Sequence, residues 1–453
     1  MSATETNFRS LVESTRIGYD YPDDLARFVW EHWEDYPEGV EEPGYGRTES
    51  PEEAVLEALF SVCYQAGLLR EEERPVTFRA ILAPPEAFPK EDGPPYGLHR
   101  VEFGESRPLN ERELRRLSPA ADFERSLIGV CRDDDSELRI WGVVHSGARW
   151  LRVLRGGREL SAPLPPVPVV IGQGPGHLTV KKGSEFVAEL SGGRIVGSRS
   201  DVFTSRWLWD FFTPTQDELR ELHKEARQEA GELGETWAPL DPEFPREIAR
   251  QMYRRLVFTL SEARHGGTII MVPPERAEEV LAGKHVGLKH TLVDGEPRRR
   301  LKTLIVGIMN SLAQAHGKGY EIAYPRAVGW EEYVRSENRE LAELDEAVFE
   351  FAHLVAGCAA VDGAIVMTHR GELLGFGGEI SGEITPVLSV EKALDREGET
   401  TARESVEGVG TRHRSAYRLA AAMPDTLLVV VSQDGNARFV TDRDGVVTCW
   451  DQA

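Results

Sequence analysis

Near the C-terminus, Gly410-Thr411-Arg412-His413-Arg414-Ser415-Ala416 sets two arginines around a histidine. Guanidinium groups hold phosphate oxygens through paired, charge-assisted hydrogen bonds. The apolar spacing that follows (Ala416, Leu419, Ala420, Met423) predicts a helix opening at this point. A helix start supplies free N–H groups and the positive end of the dipole, both suited to an anion. The stretch reads either as a polyphosphate clamp or as a basic helix start paired with surface acids. A second stretch, Asp362-Gly363-Ala364, lies in the apolar run from Cys358 to Met367. That run reads as a buried strand with a turn entering it. Asp362 there is either a carboxylate free for chemistry or a turn residue capping its own backbone.

These residues need elements to position them. The spacing predicts a helix over Glu247 to Ala263, then an apolar strand after His265-Gly266-Gly267, from Thr268 to Val272. A helix over Asn338 to Val355 leads toward Asp362. Leu373 to Ile380 follows a turn at Gly371-Glu372 as a further apolar strand. Glu391 to Glu407 reads as a charged, exposed loop, and Leu427 to Val431 as an apolar strand ending at Ser432. Arg298-Arg299-Arg300-Leu301-Lys302 reads as a solvated helix start or as a basic run that touches a nucleotide or an acidic partner. His285 and His290 lack partners at metal-ligand spacing and read as structural.

The first part of the chain has another rhythm. Helices are expected from Tyr21-Pro22 and from Ser50-Pro51, with Ser50 as N-cap. Short strand-like runs follow at Leu138 to Val144, Trp150 to Leu154, Val167 to Ile171, Leu178 to Lys181, Phe186 to Leu190 and Arg194 to Gly197. Glycine turns separate them. Gly172-Gln173-Gly174-Pro175-Gly176 is read as a hairpin turn and not a phosphate loop, because a strand and no helix follows. Another helix is expected from Thr213-Pro214.

The division that results is a helical segment at 1–95, a β-rich domain at 97–212, a helical linker at 213–244 and an α/β domain at 245–453. A chain of 453 residues has room for two or three domains. The formal net charge of −23 disfavours a nucleic-acid surface, which needs clustered cations. The four cysteines are widely spaced and read as reduced thiols. No apolar run has the length of a membrane span, and no signal pattern opens the chain, so a cytoplasmic location is expected.

Asp362-Gly363-Ala364, followed about fifty residues on by Gly410-Thr411-Arg412-His413-Arg414, resembles the diadenylate cyclase family, the enzymes with the DAC (DisA_N) domain. The resemblance spans roughly residues 245–453. It implies a central mixed sheet flanked by helices. It implies condensation of two ATP into cyclic di-AMP with release of two pyrophosphates, aided by Mg²⁺ or Mn²⁺. Asp362, Gly363, Arg412, His413 and Arg414 would be the catalytic set. Ala364, Gly410, Thr411, Ser415 and Ser432 would line the nucleotide, and Asp362 and His413 would hold the metal. The product needs two nucleotides face to face, so the resemblance implies a homodimer or higher homo-oligomer. About ninety residues separate Thr268 from Asp362, more than the family core needs. Gln433 stands where many relatives carry an acid, and the Leu-Pro pair common after the Asp-Gly-Ala strand is missing. A nucleotide-binding domain without turnover, and a nucleotidyltransferase using another acceptor, remain alternatives. The β-rich region resembles the DACNV sensor domain found ahead of such domains.

Overall fold

The computed structural model describes residues 18–35, 50–91, 93, 97–123, 125–146, 164–183, 185–196, 201–263, 265–293, 295–317, 327–381, 386–433 and 435–452. They divide into two units, one up to residue 196 and one from residue 201. The expected strand at Trp150 to Leu154 and Asp434, the acid next to Gln433, lie outside the described residues.

The N-terminal unit is built on one mixed sheet. After the short pair β1 (Arg70–Glu71) and β2 (Arg74–Pro75) come β3 (Phe78–Leu82), β4 (His99–Pro108), β5 (Ser126–Arg132), β6 (Leu138–His145), β7 (Pro168–Gly172), β8 (His177–Lys182), β9 (Glu185–Ser191) and β10 (Arg194–Val196). The sheet order is β10-β9-β8-β7-β3-β5-β6-β4, with β3 and β5 parallel. Helices Pro22–His32 and Glu53–Gly67 lay Leu25, Val29, Leu56, Leu59 and Phe60 on Phe78, Ala80, Val170 and Val180 of the sheet. Alternation along each strand puts these side chains on one face.

The expected split between a helical segment at 1–95 and a β-rich domain at 97–212 does not hold. β3 sits at residues 78–82 in the middle of the sheet, and the helices share its core. The second helix also starts later than Ser50, with Glu52 at its N-cap. Ser50 donates instead to Glu34. The glycine-rich turn does join the antiparallel pair β7–β8, with Gly174 and Gly176 at positive φ.

The C-terminal unit is a nine-stranded mixed sheet between two helical layers. Its strands are β11 (Gly267–Val272), β12 (Val286–Thr291), β13 (Ala364–Thr368), β14 (Leu373–Ile380), β15 (Ser389–Ala393), β16 (Thr401–Ser405), β17 (Leu427–Val431), β18 (Ala437–Arg443) and β19 (Val446–Asp451). The order is β12-β14-β13-β11-β17-β18-β19-β15-β16. β11, β13 and β17 are buried along their whole length, which explains their predominantly apolar sequences.

Ile269, Met271, Ile365, Met367, Val429 and Val431 face helices Arg206–Glu232, Phe244–Glu262, Glu296–Ala315 and Arg339–Ala359. Ile270, Val272, Val366, Leu428 and Val430 face the helix Thr411–Ala422 through Ala416, Tyr417, Leu419 and Ala420. Each such aliphatic side chain contributes roughly 1.5–3 kcal/mol by leaving water. Arg255, with its side chain 1% exposed, ties the first layer together. It donates to Asp345 O at 3.0 Å and lies 3.4 Å above the Phe349 ring.

Two further expectations are corrected. Residues 213–244 are not a linker. The helix begins at Arg206, carries Pro214 inside it, and buries Trp207, Leu208, Phe212 and Leu219 in the core. Trp207 stacks on Trp450 of β19 with ring centroids 4.1 Å apart. Glu391 to Glu407 is not a loop. It holds the hairpin β15–β16 at the sheet edge, where exposed strands carry charged residues. Asn338 caps the helix before Asp362 as a side-chain acceptor from Glu340 N and Leu341 N.

Candidate functional site

β11 is the axis of the site. It pairs in parallel with β13, Thr268 opposite Ala364, and antiparallel with β17, Gly267 opposite Val431. Three segments therefore meet at one end of the sheet: the turn Asp362-Gly363 before β13, the bend Gly266 before β11, and Ser432-Gln433 after β17. Strands lie about 4.8 Å apart, so the outer two are separated by roughly 10 Å.

The helix Thr411–Ala422 precedes β17 and starts at the same end. A Cβ added to Gly266 would fall 2.7 Å from Arg412 Nη1, 3.0 Å from Val431 O and 3.3 Å from Gln433 N. Gly266 has φ +66° and leaves the room that the Arg412 guanidinium uses. Gly410 is the N-cap and offers no side-chain acceptor to the first turn. The N–H groups of that turn stay available to an anion, beside Arg412.

Asp362 is exposed, and its backbone oxygen accepts a long hydrogen bond from Lys289 Nζ at 3.4 Å. Gly363 has φ +127°, and a Cβ there would lie 2.5 Å from the backbone carbon of Gly377. No side chain fits in that place. Gly363→Ala is expected to cost about 2–3 kcal/mol through strain and overlap, read by urea denaturation. A change below 0.5 kcal/mol would show that the turn rearranges freely.

The remaining sequence candidates fall as follows. Thr411 and Arg414 are exposed on the first turn, and Ser415 is half-buried. Ala364 is buried and offers only its backbone. Ser432 accepts from Asn436 N through Oγ at 3.2 Å, so it also shapes the β17–β18 turn.

His413 faces another way. Its ring lies 6.3 Å from Tyr417, and burial together with the Arg438 guanidinium holds its pKa below the usual histidine value. Arg438 is on β18, three strands from β13. His413 thus packs toward β18, while Asp362 precedes β13. Among the described residues no group of three or more His, Cys, Asp or Glu is arranged to hold a metal ion. An ion carried by phosphates needs only one or two protein carboxylates, and the exposed oxygen donors of Asp362 fit that need.

Behind His413 lies a network that sequence reasoning missed. Arg438 Nη1 donates to Tyr417 Oη and to Glu404 Oε1, both at 2.8 Å. Its Nε donates to Asp451 Oδ1 at 2.6 Å, and Lys392 Nζ pairs with Asp451 Oδ2 at 2.7 Å. Burial opposes the charge on both Arg438 and Asp451. Their mutual pairing outweighs it, so Arg438 is pushed up and Asp451 down. One guanidinium so joins the helix Thr411–Ala422 to β16, β18 and β19. The alternation of Arg438 with buried Ala437 and Phe439 gave no signal of this, since an arginine at that spacing reads as solvent-facing.

Residues 45–145 match the family described as "Probable sensor domain DACNV". The match starts earlier than the 97–212 read from sequence. It takes in the helix Glu53–Gly67 together with β3 to β6, in line with the shared core of the N-terminal unit. Comparison with curated proteins and with solved structures gave no match. No helix among the described residues is long and apolar enough to cross a membrane.

Proposed function

We propose that the C-terminal unit is a nucleotidyltransferase that condenses two ATP into cyclic di-AMP, under control of the N-terminal unit. The observation that carries this reading is the meeting of Asp362-Gly363, Arg412 and the uncapped first turn of Thr411–Ala422 at one end of β13-β11-β17. The match to a sensor domain of a type that occurs in diadenylate cyclases supports it independently.

In this reading the first-turn N–H groups and Arg412 take up the triphosphate charge. Phosphoryl transfer depends mainly on such positioning and charge neutralisation. Gly363 lets ribose or phosphate approach the backbone closely. The 3′-oxygen of one nucleotide forms a bond to the α-phosphorus of the other, and the bond to pyrophosphate breaks. The hydroxyl proton passes to Asp362 or, through it, to solvent. A second, identical exchange closes the ring and releases the second pyrophosphate. Mg²⁺ or Mn²⁺, held by Asp362 and phosphate oxygens, would neutralise phosphate charge. Asp362, Arg412 and Arg414 lie on an exposed surface, so a second protomer would bring the other nucleotide opposite.

Incubation with ATP and Mn²⁺, followed by mass identification of products, tests the reading. Cyclic di-AMP is the expected product. ATP binding without any product would leave a nucleotide-binding domain, and a different adduct would mean another acceptor. Arg412→Ala is expected to weaken ATP roughly ten- to a hundredfold while AMP changes little. Calorimetric titration reads both, and equal losses would place Arg412 outside the phosphate site.

A further inference from the structure

The stretch between β11 and β13, longer than the chemistry of the site requires, returns one cation to that site. β12 is the edge strand beside β14. From it Lys289 reaches past β14 to the Asp362-Gly363 turn, where Nζ lies 3.4 Å from Asp362 O. Its other partner is Glu379 Oε1 at 2.8 Å.

The backbone is shaped for this reach. Gly377 has φ +67°, and a Cβ there would lie 3.1 Å from Lys289 Cβ and 3.3 Å from Lys289 Cδ. The aliphatic stem of Lys289 therefore lies directly over Gly377, where the positive φ favours glycine and a Cβ would press on the stem. Gly377 is also the residue against which Gly363 closes. Two positive-φ glycines and one lysine stem interlock, and the ammonium ends at the carbonyl of the candidate catalytic residue. A surface lysine that served only solubility would need no such bed.

We propose that Lys289 is a further phosphate-binding residue of this site, held ready by Glu379 and passed to a nucleotide phosphate when ATP enters. The proposal rests on the reading of the site as an ATP site. The Glu379 carboxylate holds the ammonium in place beside the turn, and the pKa of Lys289 is raised by that hydrogen bond first and by Asp362 in lesser part. The side chains of Lys289 and Glu379 are 42% and 66% exposed, so their pair is weak enough to be exchanged for a phosphate. A phosphate offers charge-assisted hydrogen bonds of a stronger kind.

The test uses the full chain, with ATP, AMP and adenosine titrated by calorimetry. Lys289→Ala is expected to weaken ATP about tenfold and to leave adenosine unchanged. Lys289→Arg is expected to recover part of the loss. Glu379→Gln is expected to tighten ATP by about two- to fivefold, because it removes the competitor for the ammonium. A cross-strand pair that merely holds β12 on β14 predicts something different: both variants would shift ATP affinity and melting temperature in the same direction, and that result overturns the proposal. Unchanged ATP affinity in Lys289→Ala also overturns it, while leaving the ATP site intact. No ATP binding by the wild-type chain would overturn the ATP-site reading and this inference together.

Discussion

With the proposed activity, Asp362→Asn is expected to lower the rate of cyclic di-AMP formation by roughly 10²- to 10⁴-fold while ATP still binds, the range that general acid–base groups contribute. Asparagine keeps the shape of the side chain and leaves the turn intact. The tie from Lys289 goes to the backbone oxygen of Asp362, so it survives the substitution. Only the charge is lost, and with it the capacity to accept a proton or to hold a divalent ion. Product mass and initial rate, measured beside a calorimetric titration of ATP, separate the two effects. A rate within threefold of wild type would remove Asp362 from the chemistry. Loss of binding and rate together would make it a positioning residue for the nucleotide.

Arg438→Met removes about 3 kcal/mol or more from the stability of the C-terminal unit. Breaking one side of a buried ion pair leaves its partners with less compensation, and among the described residues only Asp451 keeps another cation here, Lys392. Here the partners are Asp451, Glu404 and Tyr417. Arg438 is the least exposed of the three charged groups, with 15% of its side chain accessible against 28% for Glu404 and 36% for Asp451. Water therefore recovers part of the loss at the carboxylates, which puts the expected value at the lower end of the range for buried pairs. Urea denaturation followed by tryptophan fluorescence measures it, and a change below 1 kcal/mol would mean that the network is solvated and dispensable. A second readout is local. Arg438 is one of the two causes that lower the pKa of His413, the first being burial. Its removal should raise the His413 titration midpoint toward the ordinary histidine value, visible by NMR in a folded variant. Arg438→Lys keeps the charge but not the planar fork, and should restore only part of the stability.

How much of this was legible in the sequence depended on burial. β13 and β17 are buried along their length and were readable. The run read as a strand from Cys358 nevertheless begins as the last turn of the helix Arg339–Ala359, and the strand opens only at Ala364. β14, largely buried, was read at its observed bounds. Asn338 and the helix it caps were equally plain. The hairpin β15–β16 was not, because its residues alternate charges with small side chains and lie half in water, the composition of a loop. The helix Arg206–Glu232 was placed too late because Pro214 carries the signature of a first turn. In the structure it sits inside the helix, where Thr213 Oγ1 donates to Trp209 O at 3.2 Å. The division at residue 95 failed for a related reason: β3 was hidden between proline-rich stretches, so the helices before it seemed to stand alone. At the site, the types Asp362, Gly363 and Arg412 were visible, but their meeting depends on register across β11. Lys289 carried no signal at all, since nothing in its neighbourhood separates it from an ordinary edge-strand lysine.

The place of β11 between β13 and β17 bears on how the molecule comes into being. Its parallel neighbour follows some ninety residues later and its antiparallel neighbour some 160 residues later. Contacts this distant in sequence reward the chain only after the entropy of closing the loop has been overcome. At synthesis rates of roughly 5–20 residues per second, β11 leaves the ribosome on the order of ten seconds before β17 does. During that interval the edge of this buried, largely apolar strand that β17 will cover has no partner. The four-helix layer, formed from residues 206–359, is the part of the unit available to shelter it. The end of the sheet where Asp362, Gly266 and Arg412 meet, which needs β17 and the helix before it, is thus among the last features of the protein to exist.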